Sequence, residues 1–251
     1  VGLVYIVARV RVGPWAALCV AVLVLVSGRA WETILFPATL TFVLPTLAGG
    51  TAWWALDRDS GWLGRALAGL LLAGAAVTGG LGPALMVGLA AEICLRRRWA
   101  WLWLLLPGVT VLIAWYAGEW GNTGTQFSTN LPHLPVWAAK YLVTAAGATF
   151  GLPPPGGLAV LALVAMGIFV WRRAGRPEPF WSPRAIGLVL TLAVAVISIG
   201  AARAADTPAT TSRYLYSPAV LMLLLACECV RGLQLPQIRW VPAAGLVVVL
   251  V

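Results

Sequence analysis

"VWAAKYLVTAAGATF", residues 136–150, decides how this chain is threaded. It is apolar, yet only 15 residues long, whereas a helix crossing a hydrocarbon core takes about 20. Lys140 stands inside it, and "GLPPPGG" at 151–157 follows it. If the segment crosses a membrane, every later loop changes sides; if it lies along the surface, none does. The basic residues discriminate between the two. With 136–150 on the surface, 13 of the 17 basic residues fall on one side and four on the other: Arg29, Lys140, Arg203 and Arg213. With 136–150 as a crossing, the split is nine against seven and Lys140 sits in the bilayer. Basic residues concentrate on the cytoplasmic side of membrane proteins, so 136–150 reads as a surface helix on the outer face.

The composition is that of a membrane protein. The chain is 61% hydrophobic and 10% charged, with a mean hydropathy of +0.92. Soluble domains carry about 45–50% apolar and about 25% charged residues. A water-soluble exterior cannot be built from what remains. The net charge of +9 is scattered between apolar runs rather than gathered on one surface, so it reads as a topology signal and not as nucleic-acid binding. Cys19, Cys94, Cys227 and Cys229 lie within apolar runs without CxxC spacing. Neither a metal centre nor a disulfide framework is expected, and no cofactor motif appears.

The fold class read from these runs is all-α, a polytopic transmembrane bundle of about eight complete spans and two partial ones. The complete spans are placed near 13–28, 38–56, 66–79, 82–95, 99–117, 157–171, 185–202 and 214–230, and the partial ones at 1–8 and 241–251. Unbroken apolar runs satisfy their backbone in lipid as helices. The pair 66–79 and 82–95 is short enough to be read as a re-entrant hairpin instead. "VGLVYIVARVR" reads as the tail of a span and "GLVVVLV" as the beginning of one, so the chain is expected to be part of a longer protein. Most of the 14 tryptophans fall near run ends, as in an interfacial belt.

The centre of the predicted membrane is empty of charge. Glu92 and Glu228 lie near inner span ends and are expected to pair within their own helices, with Arg96 at i+4 and Arg231 at i+3. A structural, surface-like role is expected for both, worth about 0–1 kcal/mol per pair. Polar groups gather instead on the predicted outer face. They include Glu119 and His133 in the loop "GEWGNTGTQFSTNLPHLP", then Lys140, Arg203, Arg213, Tyr214 and Tyr216.

"SRYLYSPAVLMLLL", residues 212–225, is the most pointed of these. Ser217 and Pro218 are good helix-start residues. A helix from there to Val230 would rise only about 20 Å, so "RYLY" enters the membrane ahead of it, as a kinked helical turn or as extended chain, with the positive helix end toward Arg213. A guanidinium beside free N–H groups suits a phosphate. The other reading is that Arg213 snorkels to lipid headgroups while the tyrosines join the aromatic belt.

The arrangement resembles the GT-C superfamily of multi-pass membrane glycosyltransferases, the protein O-mannosyltransferase and aminoarabinose-transferase relatives. The match rests on Arg213, Tyr214 and Pro218 after a polar outer loop, and loosely on the alternation of spans with an outer surface helix. The resemblance implies a bacterial plasma-membrane enzyme that transfers a sugar from a polyprenyl-phosphate donor on the outer face. It further implies that Arg213, Tyr214 and Tyr216, with Arg203 and Lys140, would hold the donor phosphate, and that Glu119 and His133 would contribute outer-loop contacts. The resemblance places the catalytic acid in an earlier outer loop, and the sequence is expected to begin after that loop. Membrane lipids and the lipid-linked sugar are the expected partners. A transporter or flippase of a lipid-linked substrate and a non-catalytic membrane scaffold remain the alternatives.

Overall fold

The computed structural model describes residues 1–25, 40–77, 81–118, 127–173 and 181–231. Among these the chain is 87% helix with no strand. Helices α1 (Gly2–Leu25), α2 (Leu40–Asp57), α3 (Trp62–Val77) and α4 (Leu81–Leu95) are followed by a 3-10 stretch, Trp99–Leu105, that runs into α5 (Leu106–Gly118). Then come the short α6 (Phe127–Asn130), a 3-10 turn Leu131–His133, α7 (Leu134–Ala148), α8 (Pro154–Arg173), α9 (Pro183–Arg203) and α10 (Ser212–Cys229). Three of the described stretches are long and apolar enough to cross a membrane: Gly2–Leu25, Trp99–Gly118 and Pro183–Arg203. Shorter apolar helices cover Trp62–Val77, Leu81–Leu95, Pro154–Val170 and Tyr214–Cys229. The predicted partial span 241–251 lies outside the described residues.

Many large side chains face outward, and small ones are frequent among the buried positions. Leu158, Leu163, Met166 and Phe169 of α8 and Leu63, Leu67 and Leu70 of α3 are exposed, while Ala52, Ala55, Ala68, Ala84 and Ala145 are buried. Lipid offers no hydrophobic drive for burying Leu, so helices associate where small residues let backbones approach. Gly88 of α4 and Gly187 of α9 mark one such crossing. A Cβ on Gly88 would collide with the Thr191 side chain and the Gly187 carbonyl, and one on Gly187 would lie 2.7 Å from the Gly88 carbonyl.

The run 2–25 is bent back on itself at Gly13, whose φ of 80° and ψ of 173° are non-helical and sterically open only to glycine. Both ends of the run reach the same place: Val1, Val4 and Val7 line one cleft with Tyr216 and Val220, and Leu23 and Val24 line another with the same pair. Its middle reaches the far end of α10, where Val12 and Ala17 pack with Cys227. The predicted separation of 1–8 from 13–28 therefore has a physical counterpart, with the break at Gly13–Pro14.

The start of α10 takes the helical form of the two expected for "RYLY". The helix begins at Ser212, with Thr211 as the preceding cap, and Pro218 lies inside it. Proline cannot donate to the carbonyl four residues earlier, and that carbonyl belongs to Tyr214. The Tyr141 hydroxyl on α7 donates to it at 2.7 Å. A side chain from the neighbouring helix thus replaces the missing backbone donor, which lets the helix run through the proline.

Candidate functional site

The bundle has two chemically distinct ends, because α9 and α10 run in opposite directions and each carries polar groups at both termini. At one end, three carboxylates and three guanidinium groups interlock. The ends of α2 and α4, the start of α9, the end of α10 and the first arm of α1 meet there. Glu92, wholly buried, accepts the Nε of Arg184 on both oxygens, at 2.8 and 2.7 Å. It also pairs with Arg96 at 2.7 Å. Asp57 accepts Nη2 of Arg11 at 2.9 and 2.8 Å and Nη2 of Arg184 at 2.9 Å. Glu228 accepts the Nε of Arg11 and the Ser182 hydroxyl, each at 2.7 Å. Ser182 in turn caps α9 by accepting the Ala185 N–H at 3.0 Å.

Arg11, Arg96 and Arg184 balance Asp57, Glu92 and Glu228, so these six groups carry no net charge, and the more exposed Arg231 adds a cation beside Glu228 at 3.8 Å. Arg184 and Arg11 have side chains only 2% and 7% exposed. Uncompensated charges so placed would be prohibitively costly, and each instead has at least two partners. Local geometry explains the meeting. Glu92 lies one turn beyond Gly88, and Arg184 lies three residues before Gly187, so the glycine crossing brings their side chains together. Arg97 adopts a left-handed conformation, with φ of 55°. The Arg98 N–H then bonds to the Ile93 carbonyl and the Arg97 N–H to the Cys94 carbonyl, a Schellman ending of α4. That turn lets Arg98 reach the Leu56 carbonyl at 3.2 Å.

This network corrects the expectation for Glu92 and Glu228. The predicted in-helix partners are present, Arg96 at 2.7 Å and Arg231 at 3.8 Å. Both carboxylates are nevertheless buried and bound mainly to other helices, not held in surface-like pairs. Arg11 and Arg184, which fall between the predicted spans, lie within helices. Asp57, Arg11, Arg184 and Ser182 were not singled out in the sequence, because their partners are between 46 and 217 residues away.

At the opposite end, α7 forms a cap over the α9–α10 connection. The Trp137 indole donates to the Thr207 carbonyl at 2.9 Å and stacks on Tyr141, ring centroids 4.7 Å apart. Buried Asn130 accepts the Ala205 N–H at 2.7 Å. Trp137, Tyr141, Tyr214 and Leu215 form one buried apolar cluster with Val196 and Ala209. The predicted surface helix 136–150 is thus a helix, Leu134–Ala148, with one face buried on the bundle and Val136 and Lys140 exposed.

The cap gathers several of the sequence-predicted site residues. Lys140 neighbours Tyr141, whose hydroxyl holds the first turn of α10, the turn that carries Arg213. Arg203 ends α9 and is exposed, and the Thr207 N–H bonds back to its carbonyl. His133, also exposed, immediately precedes α7. Tyr214 is buried in the cap cluster, whereas Tyr216 belongs to the main core and lines the cleft with Val4 and Val220. The two tyrosines therefore part company. Glu119 and the side chain of Arg213 lie outside the described residues. Among the described residues, no group of three or more His, Cys, Asp or Glu is disposed to hold a metal.

Compared with protein families, with curated proteins and with solved structures, the chain matches none.

Proposed function

We propose that this is the membrane-embedded part of a GT-C-like glycosyltransferase that takes a polyprenyl-phosphate sugar at the capped end. In this reading the chain makes about eight crossings of a bacterial plasma membrane, and the cap faces outward. Arg213, with Lys140 and Arg203, holds the donor phosphate and stabilises charge on the leaving group. The acid that activates the acceptor hydroxyl is supplied from elsewhere in the protein.

One observation carries the reading. The Tyr141–Tyr214 bond fastens the cap to the very turn that bears Arg213, so three cations from α7, α9 and α10 share one end of the bundle. That turn is also the N-terminal turn of an 18-residue helix, whose dipole favours an anion.

The test is donor affinity in nanodiscs, with a polyprenyl phosphate as the probe. Losing a charge-assisted hydrogen bond costs roughly 1.5–3 kcal/mol, or about ten- to a hundredfold in affinity. Arg213→Ala should weaken binding by that factor, with Arg213→Lys between it and the parent, because an ammonium cannot copy the planar fork. Unchanged affinity in the Ala variant would leave Arg213 as a membrane anchor.

A further inference from the structure

An open cleft of about 460 Å³ lies over the charge network, at the end of the bundle opposite the cap. Four arginines line it, Arg11, Arg96, Arg98 and Arg231, with Asp57 and Glu228 between them. The wall also includes Ser182 and Pro183, where the 21-residue α9 begins. Its volume is in the range of small-ligand sites, roughly 300–1,000 Å³.

We infer that this cleft is a binding site for a phosphate group. Counting the lining together with every described group joined to it by ion pairs, six arginines (Arg11, Arg65, Arg96, Arg98, Arg184 and Arg231) against four carboxylates (Asp57, Asp59, Glu92 and Glu228) leave two positive charges. The two carboxylates in the wall do not oppose an anion strongly, because both are already engaged. Asp57 accepts from Arg11 and Arg184, and Glu228 accepts from Arg11 and Ser182. Arg98 and Arg231 have side chains 38% and 48% exposed and line the cleft, each with a carboxylate beside it, Asp59 at 3.3 Å and Glu228 at 3.8 Å, that leaves other N–H donors of the guanidinium for a ligand. The N-terminal dipole of α9 adds to the same field. Guanidinium groups on two sides of a cleft, with a helix N-terminus at its edge, suit the oxygens of a phosphate ester. The site shares no residue with the cap, so it stands or falls independently of the reading given above.

A phosphate ester can arrive as a lipid headgroup or as a soluble metabolite, and two probes separate these. The protein is placed in neutral phosphatidylcholine nanodiscs. Phosphatidylglycerol is titrated in one arm and read by native mass spectrometry; glycerol phosphate is added in the other and read by calorimetry. The double variant Arg98→Gln/Arg231→Gln tests the cleft, since both side chains are partly exposed and neither belongs to the buried triad of arginines. Arg58→Gln, exposed near the same end but outside the cleft lining, controls for loss of charge. We expect at least one probe to bind and the double variant to lose roughly ten- to a hundredfold in affinity, the loss expected from removing charge-assisted hydrogen bonds, with Arg58→Gln close to the parent. Binding confined to the lipid arm identifies a headgroup site, and binding of glycerol phosphate identifies a soluble ligand. Binding of neither probe, or a loss in the double variant no greater than that in Arg58→Gln, overturns the proposal.

Discussion

Tyr141→Phe removes one oxygen atom, and the structure says what that oxygen does. It donates at 2.7 Å to the Tyr214 carbonyl, the acceptor to which Pro218 can offer no N–H. Both Tyr141 and Tyr214 are buried, so water is a poor substitute. A buried acceptor left unsatisfied costs about 1–3 kcal/mol. The same carbonyl can be satisfied in another way, because Pro218→Ala restores an N–H four residues along the helix. Tyr141→Phe is therefore expected to cost about 1–3 kcal/mol with Pro218 in place. In the Pro218→Ala background the cost should fall below about 0.5 kcal/mol, the scatter expected of uncoupled sites. The difference is a coupling energy, and a double-mutant cycle isolates it from the general effects of either change. Equilibrium unfolding in mixed micelles, followed by tryptophan fluorescence and far-ultraviolet dichroism, supplies the four stabilities. Equal costs in both backgrounds would refute the claim that Tyr141 replaces the proline's missing donor.

Three other outcomes follow from the same structure. Glu92→Gln should destabilise the bundle by about 3–5 kcal/mol, the cost of breaking a buried ion pair. Glu92→Leu combined with Arg184→Met leaves the network's net charge unchanged and should recover most of that loss; the same unfolding assay reads both, and a Gln cost under about 1 kcal/mol would return the pair to a surface-like role. Gly88→Val should force α4 and α9 apart and cost about 1–3 kcal/mol or more, whereas Gly74→Ala, with nothing within 4 Å of the new carbon, should be neutral or stabilise by up to about 1 kcal/mol; similar losses from both would mean the glycine crossing is misread. A single cysteine at position 153, in a background without the native four, should be labelled from outside intact cells, and labelling only after the cytoplasmic side is opened would make 136–150 a crossing.

What the sequence made legible was set by local patterns. Apolar runs placed α2, α3, α4, α8 and α9 within a few residues, because each is bounded by charge, glycine or proline. The break in α1 was expected at 9–12 and lies at Gly13–Pro14, because Arg11 is neutralised by Asp57 and Glu228 inside the bundle and needs no loop. The helix α10 was legible too, read as 214–230 and running Ser212–Cys229; what was hidden is how it passes Ser217–Pro218 as helix, since only a hydroxyl 73 residues away satisfies the carbonyl that the proline leaves unbonded. The charge network was also hidden, though its parts were in view. Asp57, Glu92 and Glu228 all end helices on one side of the predicted topology, as Arg96 does, and Arg184 begins one there. Pairing charges by shared side, not only along one helix, would have brought them together. The cap residues Lys140, Arg203 and Arg213 were grouped by side alone, and their grouping at one end of the bundle follows from bonds made by Trp137 and Tyr141.

The most direct test of the account is to map where a photoreactive polyprenyl phosphate crosslinks to the protein in a bilayer. Crosslinked peptides should come from 134–148 and 203–216, and their yield at limiting probe should fall about ten- to a hundredfold in Arg213→Ala, as the lost charge-assisted bond requires. Crosslinks confined to other segments, or a yield indifferent to Arg213, would contradict a lipid-phosphate site at the capped end.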